Sequence, residues 1–164
     1  MTNLKTFIKD IPDFPVQGVL FRDIQPLLAD SQAFFDAIYE MGQLIDMEKV
    51  DYFVGVESRG FIFASALAAI NLKGLKIIRK AGKLPNVEKA LHRVEYDLEY
   101  GSAAIEMESG WGNVVLVDDV LATGGTIRAA ERLATNAGYQ VIDSLCLIDI
   151  GIIKNHSTKC LISY

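Results

Sequence analysis

Cysteine is scarce in this chain. Its 164 residues hold only Cys146 and Cys160, which have neither metal-ligand spacing nor the density of a disulfide framework. Cys146 lies in an apolar stretch and reads as a buried small hydrophobe. His92 and His156, the only histidines, have no ligand-like neighbours in sequence. Cation excess is missing too: 16 Lys and Arg against 21 Asp and Glu give a formal charge of −5. That balance excludes general affinity for nucleic acid, which needs a basic patch to displace counterions. An acidic chain still takes an anionic ligand where amides, a few lysines or a metal supply the local field. There is no long hydrophobic run either. The most apolar window, Phe61 to Ile70, falls well short of the ~20 residues that cross a bilayer. Lys5, Lys9 and Asp10 break up the N-terminus before an apolar signal core forms, so a cytoplasmic protein without a membrane partner is expected. The Gly-x-x-x-x-Gly-Lys-Ser/Thr run of P-loops is absent, as is the Gly-x-Gly-x-x-Gly dinucleotide fingerprint. Repeats and low-complexity segments are also lacking. A composition of 51% apolar and 23% charged residues at this length predicts one soluble globular domain over 1–164.

The pattern along the chain predicts an α/β fold. Residues 1–30 are punctuated by Pro12, Pro15, Gly18 and Pro26 and read as a loop-rich N-terminal hood. Ser31 is a plausible N-cap for an amphipathic helix to about Met47. Tyr52 to Val56 reads as a buried strand, Phe61 to Ile70 as an apolar helix, and Leu75 to Ile78 as another short strand. From about 79 to 101 the chain is densely charged, which predicts a hairpin or flap. Val114 to Val117 and Val141 to Ile148 supply further apolar strands. Strand, loop and helix in alternation predict a mostly parallel sheet flanked by helices.

One run carries most of the chemistry. Val114 to Val117 ends in Asp118 and Asp119, followed by the small-residue loop Ala122-Thr123-Gly124-Gly125-Thr126 and a helical stretch from Ile127. Glycines let backbone approach an anion closely, and a helix N-terminus points free N–H groups at it. Thr123 and Thr126 add hydroxyls, and Thr126 is a possible helix cap. A tight turn with a solvated Asp pair is the plainer alternative. Ligands of open α/β sheets, however, bind where those carboxylates stand, at the carboxyl ends of strands. Glu57-Ser58-Arg59-Gly60 occupies a second strand end, with Arg59 as a forked donor for phosphate oxygens. Alone it reads equally as a surface turn with a solvated arginine. Arg79, Lys80 and Lys83 around Gly82 and Pro85 suit a phosphate-contacting loop, though charge runs are usually solvated faces. Glu99 in Leu98-Glu99-Tyr100-Gly101 could bind or protonate a leaving base, and a single Glu is as readily a surface residue. Phe14 and the segment Gly18 to Ile24 offer an aromatic ring to stack on a heterocycle, or simply anchor the N-terminus.

The run from Val114 to Thr126 resembles the phosphoribosyl-diphosphate signature of the type I phosphoribosyltransferase family. Together with Phe21-Arg22-Asp23-Ile24, Glu57 to Phe61, Gly82-Lys83-Leu84-Pro85 and Leu98 to Gly101, it resembles the family's adenine branch from Ile11 to Tyr164. The resemblance implies transfer of a phosphoribosyl group to adenine, giving AMP and diphosphate, with Mg²⁺ held mainly by substrate oxygens and water. It implies that Asp118 and Asp119 face the ribose hydroxyls and Ala122 to Thr126 hold the 5′-phosphate. Ser58, Arg59, Arg79, Lys80 and Lys83 would contact diphosphate. Leu20, Phe21 and Arg22 would line the adenine pocket, Glu99 would serve the adenine imidazole nitrogen, and Tyr100 would sit on the flap. A cis Glu57–Ser58 peptide and a homodimer are further family expectations. The chain departs from the pattern in three places. Asn86 to Asp97 looks long and lacks the Ser-Tyr pair before Leu98, Ser102 to Asn113 looks short, and Ala81 replaces a cation. Another base (xanthine, hypoxanthine, guanine or orotate) or a donor-sensing regulator are the competing readings. The lack of a basic face and of a spare domain counts against the regulator.

Overall fold

The computed structural model describes residues 3–85, 91–98 and 101–164. They fall into two compact units, Met1–Glu40 and Met41–Tyr164. In the first unit, β1 (Lys9–Pro12) pairs antiparallel with β2 (Leu20–Asp23), and the short helix α1 (Gln25–Ala29) follows. The Pro- and Gly-rich stretch is therefore less loop-like than its composition suggests. Its turn from Asp13 to Val19 is held by the Gly18 N–H donating to Asp13 Oδ1 at 2.7 Å, and the Phe14–Pro15 peptide is cis. Next comes α2 (Ser31–Gln43). Its cap is Asp30 rather than Ser31: Asp30 Oδ1 accepts from the Gln32 and Ala33 amides at 3.1 and 2.8 Å. A carboxylate in that position also complements the positive end of the helix dipole, which a serine does not. The helix ends four residues earlier than expected, and a 3-10 turn, Met47–Lys49, replaces its last turn.

The second unit is a seven-stranded sheet with the order β5-β6-β4-β3-β7-β8-β9. Its members are β3 (Tyr52–Val56), β4 (Gly74–Lys80), β5 (Leu91–Leu98), β6 (Gly101–Glu108), β7 (Asn113–Leu121), β8 (Gln140–Asp149) and β9 (Lys159–Ser163). β4, β3, β7, β8 and β9 run parallel, whereas the β5–β6 hairpin joins the edge of β4 antiparallel through Arg79↔Glu106 and Lys80↔Ile105. The charged mid-chain stretch is thus a hairpin, but β6 reaches back into the core, with Ile105 and Met107 buried. β9 escapes sequence reading because its apolar run, Cys160 to Ile162, is very short and is bounded by Lys159 and Ser163.

Two helices cover the sheet. Helix α3 (Gly60–Ile70) packs on the Gly55 side of β3, where a Cβ on Gly55 would stand 3.0 Å from the Phe61 backbone. On the opposite face, Ala129, Ala130, Leu133 and Ala134 of α4 (Gly125–Asn136) pack on Val54, Val56, Val114 and Leu116. Alternate β3 residues serve the two faces, as the period-two geometry of a strand requires. Each fully buried Val, Leu or Phe here contributes about 1.5–3 kcal/mol.

The topology fixes where a ligand binds. From β3 the chain moves outward through α3 to β4 and the hairpin, then returns to β7 on the other side of β3 and moves outward again through α4 to β8. The sheet order reverses between β3 and β7, and loops leaving their carboxyl ends diverge onto opposite faces. That split opens the crevice in which doubly wound sheets hold ligands. No helix among the described residues is long and apolar enough to cross a membrane.

Candidate active site

The Asp pair does not follow β7, as the sequence suggests, but lies within it. β3 stops pairing at Gly55↔Val117, whereas β8 stays paired through Asp118↔Cys146 to Leu121↔Asp149. Asp118 and Asp119 therefore emerge where β7 outruns one neighbour while the other still holds it straight. Such a ledge gives two carboxylates a fixed direction without closing them off. The Asp119 amide donates to Asp118 Oδ1 at 2.9 Å, which orients the first carboxylate. Asp119 is 4% exposed, and Arg59 Nε lies 2.9 Å from its Oδ2. No aligned hydrogen-bond donor meets Oδ2 among the described residues.

Burial pushes both carboxyls above the ordinary aspartate range. Asp118 is pushed further because the Asp119 charge adds to its desolvation, whereas for Asp119 the Arg59 guanidinium opposes the rise. Each carboxyl thus holds its charge less readily than a solvated aspartate, and hydroxyl donors or positive charge on a ligand would favour the charged form. The structure ties Arg59 to this pair, although the sequence reading aimed it at phosphate.

Gly60 holds the two strand ends together. It opens α3, and a Cβ there would stand 2.5 Å from Val117 O and 3.2 Å from Asp118 Cα. Only glycine lets the Glu57–Gly60 turn press against the acidic ledge. The Glu57–Ser58 peptide is cis, and Ser58 is exposed.

Beyond the pair, Ala122 and Thr123 lead to Gly124, which caps α4 at φ 72° in the left-handed region. Thr126 lies inside the helix and no side chain caps it, so Thr126 is not the cap. The first-turn amides of α4 have no intrahelical acceptors, which makes this end an anion cradle. Arg128 Nη2 donates to Thr123 O at 2.9 Å and ties the loop to the first helical turn.

Arg79, Lys80 and Lys83 come from the end of β4 and the turn after it. Two glutamates to which the sequence alone assigns no role of their own hold them. Glu57 Oε2 accepts from the Lys80 amide at 2.7 Å, and its carboxylate pairs with Arg79 at 3.3 Å. The Arg79 guanidinium holds the Glu57 carboxyl below the ordinary glutamate range against the opposing effect of burial. Glu106 on β6 is 3% exposed and accepts three successive amides, Gly82 at 2.8 Å and Lys83 and Leu84 at 2.7 Å. Burial raises its carboxyl, but those amides more than offset it and the group lies below the ordinary range. Nothing local in the sequence marks Glu106 for this role, because the Arg79↔Glu106 pairing exists only once the hairpin is folded.

The remaining predicted residues divide. Glu99 and Tyr100 lie outside the described residues. Leu20, Phe21 and Arg22 are consecutive on β2, so Phe21 faces opposite to its two neighbours. Phe21 meets the Phe14 ring edge-on at 5.1 Å, and Arg22 is ion-paired with Asp10. The histidines serve structure: His92 bonds Ser109 at 2.9 Å, and His156 bridges Asp149 and Thr158 O at 3.1 and 2.9 Å. Mg²⁺ bound to phosphate keeps most of its waters and takes few protein ligands. The donor set fits an ion of that kind. Asp118 and Asp119 offer carboxylate oxygens at the crevice.

A buried acidic pair beside a helix-terminus anion cradle, at the switch point of a parallel sheet, is the layout of an α/β protein whose crevice suits an anionic ligand. Residues 27–163 match the phosphoribosyl transferase domain. The adenine phosphoribosyltransferase of Bdellovibrio bacteriovorus is 49% identical over 90% of this chain and 88% of its own. The crystal structure of the Thermoanaerobacter pseudethanolicus adenine phosphoribosyltransferase aligns with a TM-score of 0.89 at 35% identity over 98% of both chains. The Saccharomyces cerevisiae enzyme, complexed with adenine and an imino-altritol bisphosphate, aligns with a TM-score of 0.87 at 31% identity over 96% of both. The chain belongs to the adenine phosphoribosyltransferase family.

Proposed function

We propose that this enzyme transfers the 5-phosphoribosyl group of phosphoribosyl diphosphate to adenine, forming AMP and releasing diphosphate. The observation that carries the reading is the pairing of the buried Asp118–Asp119 ledge with the α4 cradle at one sheet crevice. At the sugar C1, the bond to diphosphate breaks ahead of bond formation to the base, and positive charge grows on the ribose. Asp118 and Asp119 accept hydrogen bonds from the ribose hydroxyls and oppose that charge; their own raised proton affinity falls as it develops. Thr123, Gly124, Gly125 and Thr126 anchor the 5′-phosphate, with Ala122 at the loop's start. Arg79, Lys80 and Lys83, together with Ser58 and Arg59, receive the departing diphosphate. Mg²⁺, when carried in with the donor, offsets part of the diphosphate charge.

For the acceptor, Leu20, Phe21 and Arg22 bind adenine, and Glu99 takes or gives the proton at its imidazole nitrogen while Tyr100 covers the site. These assignments rest on the resemblance of the motifs. The hood, about 1–30, and the flap, about 79–101, serve one catalytic domain in a cytoplasmic homodimer. The test is a product assay with adenine, guanine, hypoxanthine, xanthine and orotate, each with donor and Mg²⁺. Adenine is expected to dominate. Equal or faster turnover of another base overturns the adenine assignment, and donor binding without turnover of any base points to a sensor.

A further inference from the structure

Beyond that reading, we propose that Cys146 and Cys160 form a modification site, a dithiol that closes to a disulfide when it meets a peroxide. The two residues are register partners on the parallel strands β8 and β9, so their side chains leave the same face of the sheet. Neighbouring strands lie about 4.8 Å apart, within the Cα separations of about 4.4–6.8 Å that a disulfide spans. Cys160 packs against the cluster that holds Cys146, and its thiol donates to Thr158 O at 3.9 Å. They differ in surroundings. Cys146 is buried against Leu121 and Ile127, whereas Cys160 is partly exposed on the edge strand. Only Cys160 is open to a dissolved oxidant, and Cys146 lies behind it on the neighbouring strand. This asymmetry assigns the roles. Cys160 is the accessible nucleophile and Cys146 the resolving thiol.

The chemistry balances with hydrogen peroxide as oxidant. Cys160 sulfur attacks one peroxide oxygen, an S–O bond forms, the O–O bond breaks and hydroxide leaves. Cys146 sulfur then attacks Cys160 sulfur, the S–S bond forms and the S–O bond breaks. The departing oxygen takes up the Cys146 proton and leaves as water. Two electrons pass from the thiols to the peroxide. The cross-link joins β9 to β8 one strand away from the acidic ledge, because Cys146 is also the register partner of Asp118.

The test treats the purified full-length chain with hydrogen peroxide, alkylates residual thiols and maps peptides without reductant. The expected result is loss of two hydrogen masses and one joined peptide holding Cys146 and Cys160, reversed by dithiothreitol. In Cys146→Ser, oxidation is expected to stop at a Cys160 sulfenic acid that dimedone captures. In Cys160→Ser, Cys146 is expected to remain a thiol at the same dose. Wild-type protein that accumulates oxygen on Cys160 without joining the strands overturns the proposal. Oxidation of Cys146 in Cys160→Ser at the wild-type rate does so as well.

Discussion

Glu106→Gln isolates the loop that presents the cations. In the native chain, Oε1 accepts from Lys83 and Leu84 and Oε2 from Gly82, all within 2.8 Å. Glutamine keeps one carbonyl oxygen, which can still serve Lys83 and Leu84, but sets an NH₂ against the Gly82 amide. One charge-assisted bond is lost and two become neutral. A hydrogen bond to a charged group is worth about 1.5–3 kcal/mol, so the lost Gly82 bond alone removes about 2–3 kcal/mol of the loop's preference for this geometry, and the weakening of the other two adds to it. If Lys83 and its neighbours act on diphosphate, donor KM should rise about 30- to 100-fold, as each 1.4 kcal/mol is about tenfold. AMP carries no diphosphate, and if the Thr123–Thr126 cradle holds its phosphate, its affinity should not move. The assay varies phosphoribosyl diphosphate at saturating adenine and measures AMP binding by calorimetry on the same preparation. An unchanged donor KM would refute the reasoning. So would AMP affinity falling in parallel, which would mark Glu106 as a general fold residue.

Gly60→Ala inserts a methyl 2.5 Å from Val117 O, a backbone contact that cannot swing away. Overpacking of this kind costs about 1–3 kcal/mol, and a lowered melting temperature together with weakened donor binding is expected; a variant indistinguishable from wild type refutes the tight seam. Glu99→Gln should lower kcat while leaving donor affinity intact, and unchanged turnover removes Glu99 from the mechanism. Because burial raises both Asp118 and Asp119, the acid limb of kcat/KM should lie above the ordinary aspartate range. Asp119→Asn should move that limb to lower pH while slowing the reaction, and a limb that stays in place contradicts the coupling. Replacing both carboxylates with Asn should cripple turnover, and near-normal rates would exclude them from it.

What the sequence revealed follows from the range of the forces involved. The strand–loop–helix from Val114 to Thr126 is legible because its elements are local: a β-branched apolar run, glycines and a helix start lie within one short window. The edge strand β9 and the extent of β6 were not, since each is a strand only by virtue of its partner. Glu106 was missed for the same reason: a glutamate in a charged stretch reads as a solvated face until the fold brings three amides to its oxygens. Glu57 stood in a strand-end motif, but its partners Arg79 and Lys80 come from the neighbouring strand. Arg59 was read as a phosphate ligand from composition, and only the approach of α3 to β7 across Gly60 ties it to Asp119.

An acidic chain that binds a polyanion needs its carboxylates kept from repelling the substrate, and the four at this site are managed in two ways. Glu57 and Glu106 are held below the ordinary glutamate range. Their contribution to stability is present above the unfolded-state value and is lost only as pH falls through the lower folded value. Across neutral pH they stay charged, yet their charge is absorbed by Arg79 and by backbone amides, so they fix the cationic loop without repelling a ligand. Asp118 and Asp119 run the other way. Their raised values mean that the folded state is penalised as pH rises from the unfolded toward the folded value, and that the penalty persists above it. On the proposed mechanism, positive charge growing on the ribose relieves that penalty further than the ground-state sugar does. The burial that makes the pair costly to the fold would thus favour the transition state over the ground-state donor.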